Sequence, residues 1–306
     1  MAKANIEAFA RKGEKNILKN MFGGSDSDSD DSSHNESDDE RPIKCKTAAT
    51  AATDQTPAAG GEDTESPSVY RSIYETFEVL LRQQKQKGIA HQLWPAATFL
   101  SHYLEQNTAI LCGHPASSSS GSKDVISLQS GSGDTVSPEN VSIIELGAGI
   151  GLCGLVCHQL KFKKVILTDL PVALPLLNEN IALNSAESVP GSLTAMVLSW
   201  GVKDELDAVM KSFPPDDRIV CIAADCVYWE VLFVPLFETL KSLVLDYHVD
   251  VVIAHVKRWK KDEKFFKMCR KVMRVEVLLE RLDMVPHEHT GVPTREMKRI
   301  YRISAP

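Results

Sequence analysis

The chain has 306 residues, 43% of them hydrophobic and 25% charged, which is enough length and apolar content to bury a sizeable core. Its net charge of -7 is concentrated in residues 25–40 (SDSDSDDSSHNESDDE), which hold eight acids and no Lys or Arg. The rest is close to neutral, which argues against a nucleic-acid footprint. Seven cysteines, an odd number with no signal peptide ahead of them, argue against a disulfide framework and for a reducing compartment. No apolar run approaches the ~18–20 residues that span a membrane. The N-terminal stretch is basic, but Glu7 and Glu14 do not suit a transit peptide. A cytosolic or nuclear protein is expected.

Residues 1–68 combine the acidic tract with TAATAATDQTPAAGGEDTESP and lack sustained apolar periodicity, the composition of a disordered tail. Serines interleaved with the acids could take phosphate from an acidophilic kinase, or the tail could be simply solvated. A domain is expected over 69–306. In VYRSIYETFEVLLRQQ the spacing of Tyr70, Ile73, Tyr74, Phe77 and Leu80/Leu81 predicts one face of a helix. Trp94 and Pro95 open a second helix, with Pro in its first turn. Residues 113–140 are rich in Ser and Gly and read as a flexible insertion.

Beyond that, strand-like segments at 141–146, 164–168, 193–198, 219–224, 249–256, 275–281 and 298–303 alternate with helix-like ones at 152–160, 172–184, 230–245 and 261–272. Such alternation predicts an α/β fold whose largely parallel sheet is covered on both faces. The last two strands have no clear helix between them, so an antiparallel hairpin is expected to close the sheet.

The main chemical signal is IIELGAGIG at 143–151: an apolar strand, a glycine turn (Gly147, Ala148, Gly149, Gly151), then a helix. Glycines there allow a sharp turn and the close approach of a ligand before a helix N-terminus, the usual cofactor position in an open α/β sheet. Gly149, Gly151 and Gly154 also satisfy GxGxxG, so a dinucleotide fits this turn equally well. Glu145, inside the strand, is placed as class I methyltransferases place an acid that serves the methionine end of their cofactor. Asp169 ends the second strand, where a carboxylate can accept from both hydroxyls of a ribose, or cap the following helix. The fourth strand ends in Ala224-Asp225-Cys226-Val227-Tyr228, a D-x-x-Y pattern that could equally be a capping acid with a core tyrosine. Cys153, Cys157 and His158 lie close together, but no second cluster completes a zinc-like set, and no metal is expected.

With LWPAA at 93–97, IELGAGIGLCGL at 144–155, LTD at 167–169, LSWG at 198–201 and ADCVY at 224–228, residues 70–303 resemble methyltransferase family 16, the methyltransferase-like protein-lysine methyltransferases. LWPAA and D-x-x-Y are the specific pieces; the glycine motif is shared by the whole superfamily. The resemblance implies a class I methyltransferase fold with a seven-stranded twisted sheet, S-adenosylmethionine as cofactor and a protein lysine as acceptor. It places Trp94, Gly147 to Gly149, Asp169, Trp200 and Ala224 around the cofactor, and Asp225 and Tyr228 towards the lysine; Trp200 could also be a packing residue. The acidic tail and the 113–140 insertion depart from compact members of the family, and either could take part in recognising the partner.

A lysine nitrogen must lose its proton before it attacks a methyl group, and with a pKa near 10.4 only about one in a thousand is neutral at pH 7. An apolar, aromatic channel lowers that pKa, whereas a nearby carboxylate raises it. Asp225 is therefore expected to orient and balance charge, and Tyr228 to supply a hydrogen bond or a cation–π face. Three alternatives remain: another acceptor (arginine, histidine or a small molecule), a catalytically silent binding module on the same fold, and a nicotinamide oxidoreductase.

Overall fold

A computed structural model of the chain describes residues 69–112, 137–185, 191–286 and 292–306. The expected disordered tail, 1–68, and most of the expected insertion, 113–136, lie outside them. The end of that insertion is ordered, because Pro138–Asn140 form a 3-10 turn whose Pro138 carbonyl accepts a bond from Lys163 N–H.

Seven strands, β3 (Val141–Leu146), β4 (Lys164–Asp169), β5 (Ser192–Val197), β6 (Arg218–Ala224), β7 (Asp250–Lys257), β8 (Arg274–Pro286) and β9 (Pro293–Ser304), form one sheet of order β5-β4-β3-β6-β7-β9-β8. The first five are parallel to one another; β9 runs antiparallel between β7 and β8. The expected α/β fold and closing hairpin are both present. Every residue of β3 is buried, as a central parallel strand covered on both faces requires. Alternate side chains divide between the two cores. Ile144 and Leu146 face Leu206, Leu236 and Phe265 of α5 (Lys203–Met210), α6 (Phe233–Lys241) and α7 (Asp262–Cys269). Val141 and Ile143 face Leu100, Cys153 and Leu177 of α1 (Pro95–Gln106), α3 (Leu152–Gln159) and α4 (Leu174–Asn184). A one-turn helix, α2 (Thr108–Leu111), extends α1.

Residues 69–84, expected to be helical, instead form a hairpin, β1 (Val69–Ile73) and β2 (Glu78–Arg82). Period two decides the matter: Val79 and Leu81 are fully buried, while Ile73, on the expected helical face, is 72% exposed. The hairpin packs on the outer side of α3 and α4 through Val79, Leu81, Leu155, Val156 and Leu176. This added layer explains why α3 is buried from Leu152 to His158 on every side.

Two asparagines of α4, one turn apart, complete the exposed edge of β2. The Asn184 amide accepts from Leu80 N–H (2.9 Å) and donates to Leu80 C=O (2.7 Å). Asn180 does the same at Arg82 (2.7 and 3.2 Å) and also donates to Ile150 C=O (2.9 Å). The two side chains do for β2 what a neighbouring strand would, and strand edges need such cover.

Candidate active site

Parallel register brings the carboxyl ends of β3, β4 and β6 level, with Leu146 opposite both Thr168 and Ala223. The glycine turn, Asp169 and Asp225 therefore leave the sheet side by side. Gly147, Gly149 and Gly151 all have positive φ (59°, 56° and 90°). At Gly147 the requirement is also steric, because a Cβ there would lie 2.8 Å from the Trp200 ring. Trp200 thus packs on the turn and is half-buried, so the packing role considered for it is real. Ala148 is buried and its N–H donates to Thr168 C=O (3.0 Å), which fastens the turn to β4.

Asp169, 9% exposed, accepts from Gly149 N–H and Leu170 N–H, each at 2.7 Å and each through a different oxygen. Burial pushes its carboxyl above the usual range, against the lowering effect of those amides and of nearby His91. It does not cap α4, which begins at Leu174. One bond per oxygen leaves a lone pair on each for a hydroxyl.

Glu145 sits inside β3 as expected, with its side chain turned into the core. It is 2% exposed, beneath the turn, and its Oε2 accepts from Gly154 N–H (2.8 Å). Burial pushes its carboxyl up to about 8, against the Gly154 bond. A Cβ on Gly154 would fall 2.7 Å from that oxygen and 1.8 Å from Leu167. Glu145 thus anchors the start of α3 from below. Its side chain projects into the core because the residues flanking it, Ile144 and Leu146, take the opposite face of β3.

Asp225, 8% exposed, has φ of 61°, a left-handed conformation rare for a residue with a side chain. Its N–H is held by Ala254 C=O (3.0 Å). Both carboxylate oxygens pair with Arg258, at 2.5 Å to Nη1 and 2.5 Å to Nη2. The Arg258 guanidinium also lies 5.7 Å from the Trp94 ring centroid, and Trp94 Nε1–H donates to Ile89 C=O (2.9 Å). The Trp94–Arg258–Asp225 series joins α1, β7 and β6 at the sheet edge. Ala224, half-buried, ends β6 just before it. Burial raises the Tyr228 hydroxyl well above its ordinary value, and the charges of Cys226, Asp169 and Asp225 add to the effect. The Tyr228 ring meets Trp229 edge-on (4.9 Å).

Arg258 is the residue that the motifs missed. Within VKRWKK it reads as one of several surface cations; the available signal was its place immediately after strand β7, at the same edge as Asp169 and Asp225. Ala90 was missed too: its carbonyl would lie 3.4 Å from a Cβ on Gly149, so the segment 89–91 covers the glycine turn. Cys153 and Cys157 are core residues whose thiols burial raises, and among the described residues no group of His, Cys, Asp or Glu is arranged to hold a metal.

The strand order, the antiparallel last pair and a glycine turn beside a strand-end acid define a class I methyltransferase that uses S-adenosylmethionine. The lysine methyltransferase family model matches residues 74–272, more than half of the chain. This chain belongs to that family. It is similar to Protein N-lysine methyltransferase METTL21A of Mus musculus, 28% identical over 66% of this chain and 77% of that one. It is also similar to Protein-lysine N-methyltransferase EFM6 of Saccharomyces cerevisiae (33% identical, 48% of this chain, 61% of that one). EEF1A lysine methyltransferase 3 of Xenopus tropicalis matches at 31% identity over 51% of this chain and 53% of that one.

Proposed function

We propose that this methyltransferase modifies a lysine side chain of a protein partner at the edge formed by β3, β4 and β6. The cofactor would lie along Gly147–Gly151 and Asp169, and the lysine would enter between Tyr228, Trp94 and the Asp225–Arg258 pair. The carrying observation is that Asp169 and Asp225 end the strands on either side of β3 and its glycine turn, one with free lone pairs and the other locked by an arginine. S-adenosylmethionine supplies an electrophilic methyl group on sulfur. The residues here fit it: Asp169 offers its two acceptors, and Trp94, Trp200, Tyr228 and Leu170 offer half-exposed apolar faces.

The chain's own task is to receive an amine without its proton. An unpaired carboxylate ~5 Å away would favour the charged amine by about 3 kcal/mol, or roughly two pKa units. Arg258 cancels that effect, since the pair is neutral as a unit. Asp225 can then orient the amine without holding its proton, and Tyr228, uncharged, can offer a ring face or its hydroxyl. Curated relatives named as protein-lysine methyltransferases support a protein acceptor over a small molecule. The six described cysteines, all free and buried, support work in the reducing cytosol or nucleus.

The test is methyl transfer from labelled S-adenosylmethionine to cell-extract proteins, followed by residue-level mass spectrometry. Label on lysine, lost in Asp225→Ala while cofactor affinity stays within a few-fold, is the expected result. Label on arginine or histidine, or none on protein, would overturn the reading.

A further inference from the structure

We infer that the segment after β7 forms a cationic rim which receives an acidic surface of the protein substrate beside its target lysine. This rests on the proposed lysine site and deepens it.

Three cations follow the strand that carries Arg258: Lys257 and Lys260, both exposed, and Lys261, whose ammonium lies 5.3 Å from the Trp259 ring centroid. None of the three has an acidic partner among the described residues. The acids nearby are all engaged elsewhere. Asp262 is 1% exposed and accepts from Arg258 N–H (3.1 Å) and Trp259 N–H (3.0 Å). Glu263 pairs with Arg299 (2.9 Å) and Arg270 (3.7 Å), and Glu230 pairs with Lys264 (3.0 Å). The positive charge of this short loop is therefore uncompensated, on a chain that is nearly neutral outside residues 25–40.

The loop also stands at the right place. Arg258 binds Asp225, and the Glu230–Lys264 pair ties α7 to the turn that follows Tyr228. That turn exposes Val231 (50%), and the first turn of α6 exposes Val234 (60%). Unpaired cations beside a site are the complement of a protein surface that carries acids around its target residue. Such a rim acts mainly on encounter and on affinity, and salt weakens it. It also separates two jobs. Arg258 neutralises the interior, where a net negative charge would hold the lysine's proton, while the outer lysines recruit acids that never enter the site.

The test uses the full chain and a full-chain variant bearing Lys257→Glu, Lys260→Glu and Lys261→Glu. Poly-L-glutamate is the first probe. It should inhibit methylation of the mapped protein acceptor competitively with that protein and not with S-adenosylmethionine, and the variant should resist it at least tenfold. For the variant, KM for the acceptor should rise at least tenfold at low salt, with kcat, cofactor affinity and Tm close to those of the parent. Raising salt should close the gap. Equal inhibition of both proteins by poly-L-glutamate, or an unchanged KM and salt dependence, would overturn the inference. So would polyuridylate binding to the parent more tightly than poly-L-glutamate does, which would make the rim a nucleic-acid surface. A third full-chain variant carries amides in place of the eight acids of residues 25–40. If its KM falls tenfold below that of the parent, and the fall disappears when it is combined with the charge reversal, the rim serves the chain's own acidic tract and not a substrate. Poly-L-glutamate binding, measured without turnover, tests the rim even if the lysine reading fails.

Discussion

Arg258 and Asp225 are almost wholly shielded, with side-chain exposures of 13% and 5%, so neither charge is well served by water. Removing one member of a buried pair commonly costs ~3–5 kcal/mol, because the other stays charged and unpaired. Arg258→Met should therefore lower stability by about 3 kcal/mol, and Arg258→Met combined with Asp225→Asn should recover much of it. Denaturant melts of the single and double variants give the coupling; additive losses would mean that the pair is not a unit. Activity should separate from stability here. Arg258→Met leaves Asp225 to hold the lysine's proton, so its kcat/KM should climb with pH to a higher limit than that of the parent. The acid at β4 should behave differently. Asp169→Ala removes two bonds to backbone N–H groups and the proposed ribose acceptor, weakening cofactor binding by roughly 1–3 kcal/mol on calorimetry. Cofactor affinity lost equally in Asp169→Ala and Asp225→Ala would remove the division between a cofactor acid and a substrate acid.

Among the elements, the hairpin β1–β2 depends on amide side chains where a sheet would use backbone. Asn184→Ala leaves Leu80 N–H and C=O without their partner and should cost about 1–3 kcal/mol by thermal or denaturant unfolding. A loss below a few tenths would mean that water replaces the amide freely. The same hairpin shows where sequence patterns were insufficient. Tyr70, Ile73, Tyr74 and Phe77 satisfy a helical stripe, but Ser72, Val79 and Leu81 satisfy alternation. Only contact with α4, about a hundred residues away, selects between them. The strands β3, β4, β6 and β7 were legible because parallel strands buried on both faces are short apolar runs. Helix α5 was not, since it has eight residues and buries only Leu206, Val209 and Met210. In the site, Asp169, Asp225 and the glycine turn were legible as strand-end residues. The pairing of Asp225 with Arg258 was not, because local spacing carries no information about a partner 33 positions on. That Glu145 turns into the core was not legible either, as side-chain direction on a strand follows from which face its neighbours bury.

For the molecule as a whole, Glu145 ties stability to pH. Its folded pKa of about 8 lies above its ordinary 4.5, so between those values the native state holds a proton that the unfolded chain has released. Stability must then fall as pH rises through that window, by up to about 1.4 kcal/mol per unit, and level off above pH 8. Asp169, also raised by burial, adds a slope of the same sign. Denaturant unfolding of Glu145→Gln, which keeps an acceptor for Gly154, should show a shallower decline from pH 5 to 8; a parallel one would place the dependence elsewhere. The reach of Asn180 has a consequence of another kind. It bonds Arg82 on the hairpin and Ile150 in the glycine turn, while Ala90, at the end of the same segment, covers Gly149. Opening of the hairpin therefore disturbs the turn, and a ligand that requires the closed turn must suppress the opening by a factor of about one plus its concentration over Kd. Amide hydrogen exchange should register this far from the ligand. With S-adenosylmethionine at ~100 Kd, the Leu80 and Arg82 amides should exchange up to about a hundredfold more slowly, in step with Gly154, whereas in Asn180→Ala only Gly154 should slow.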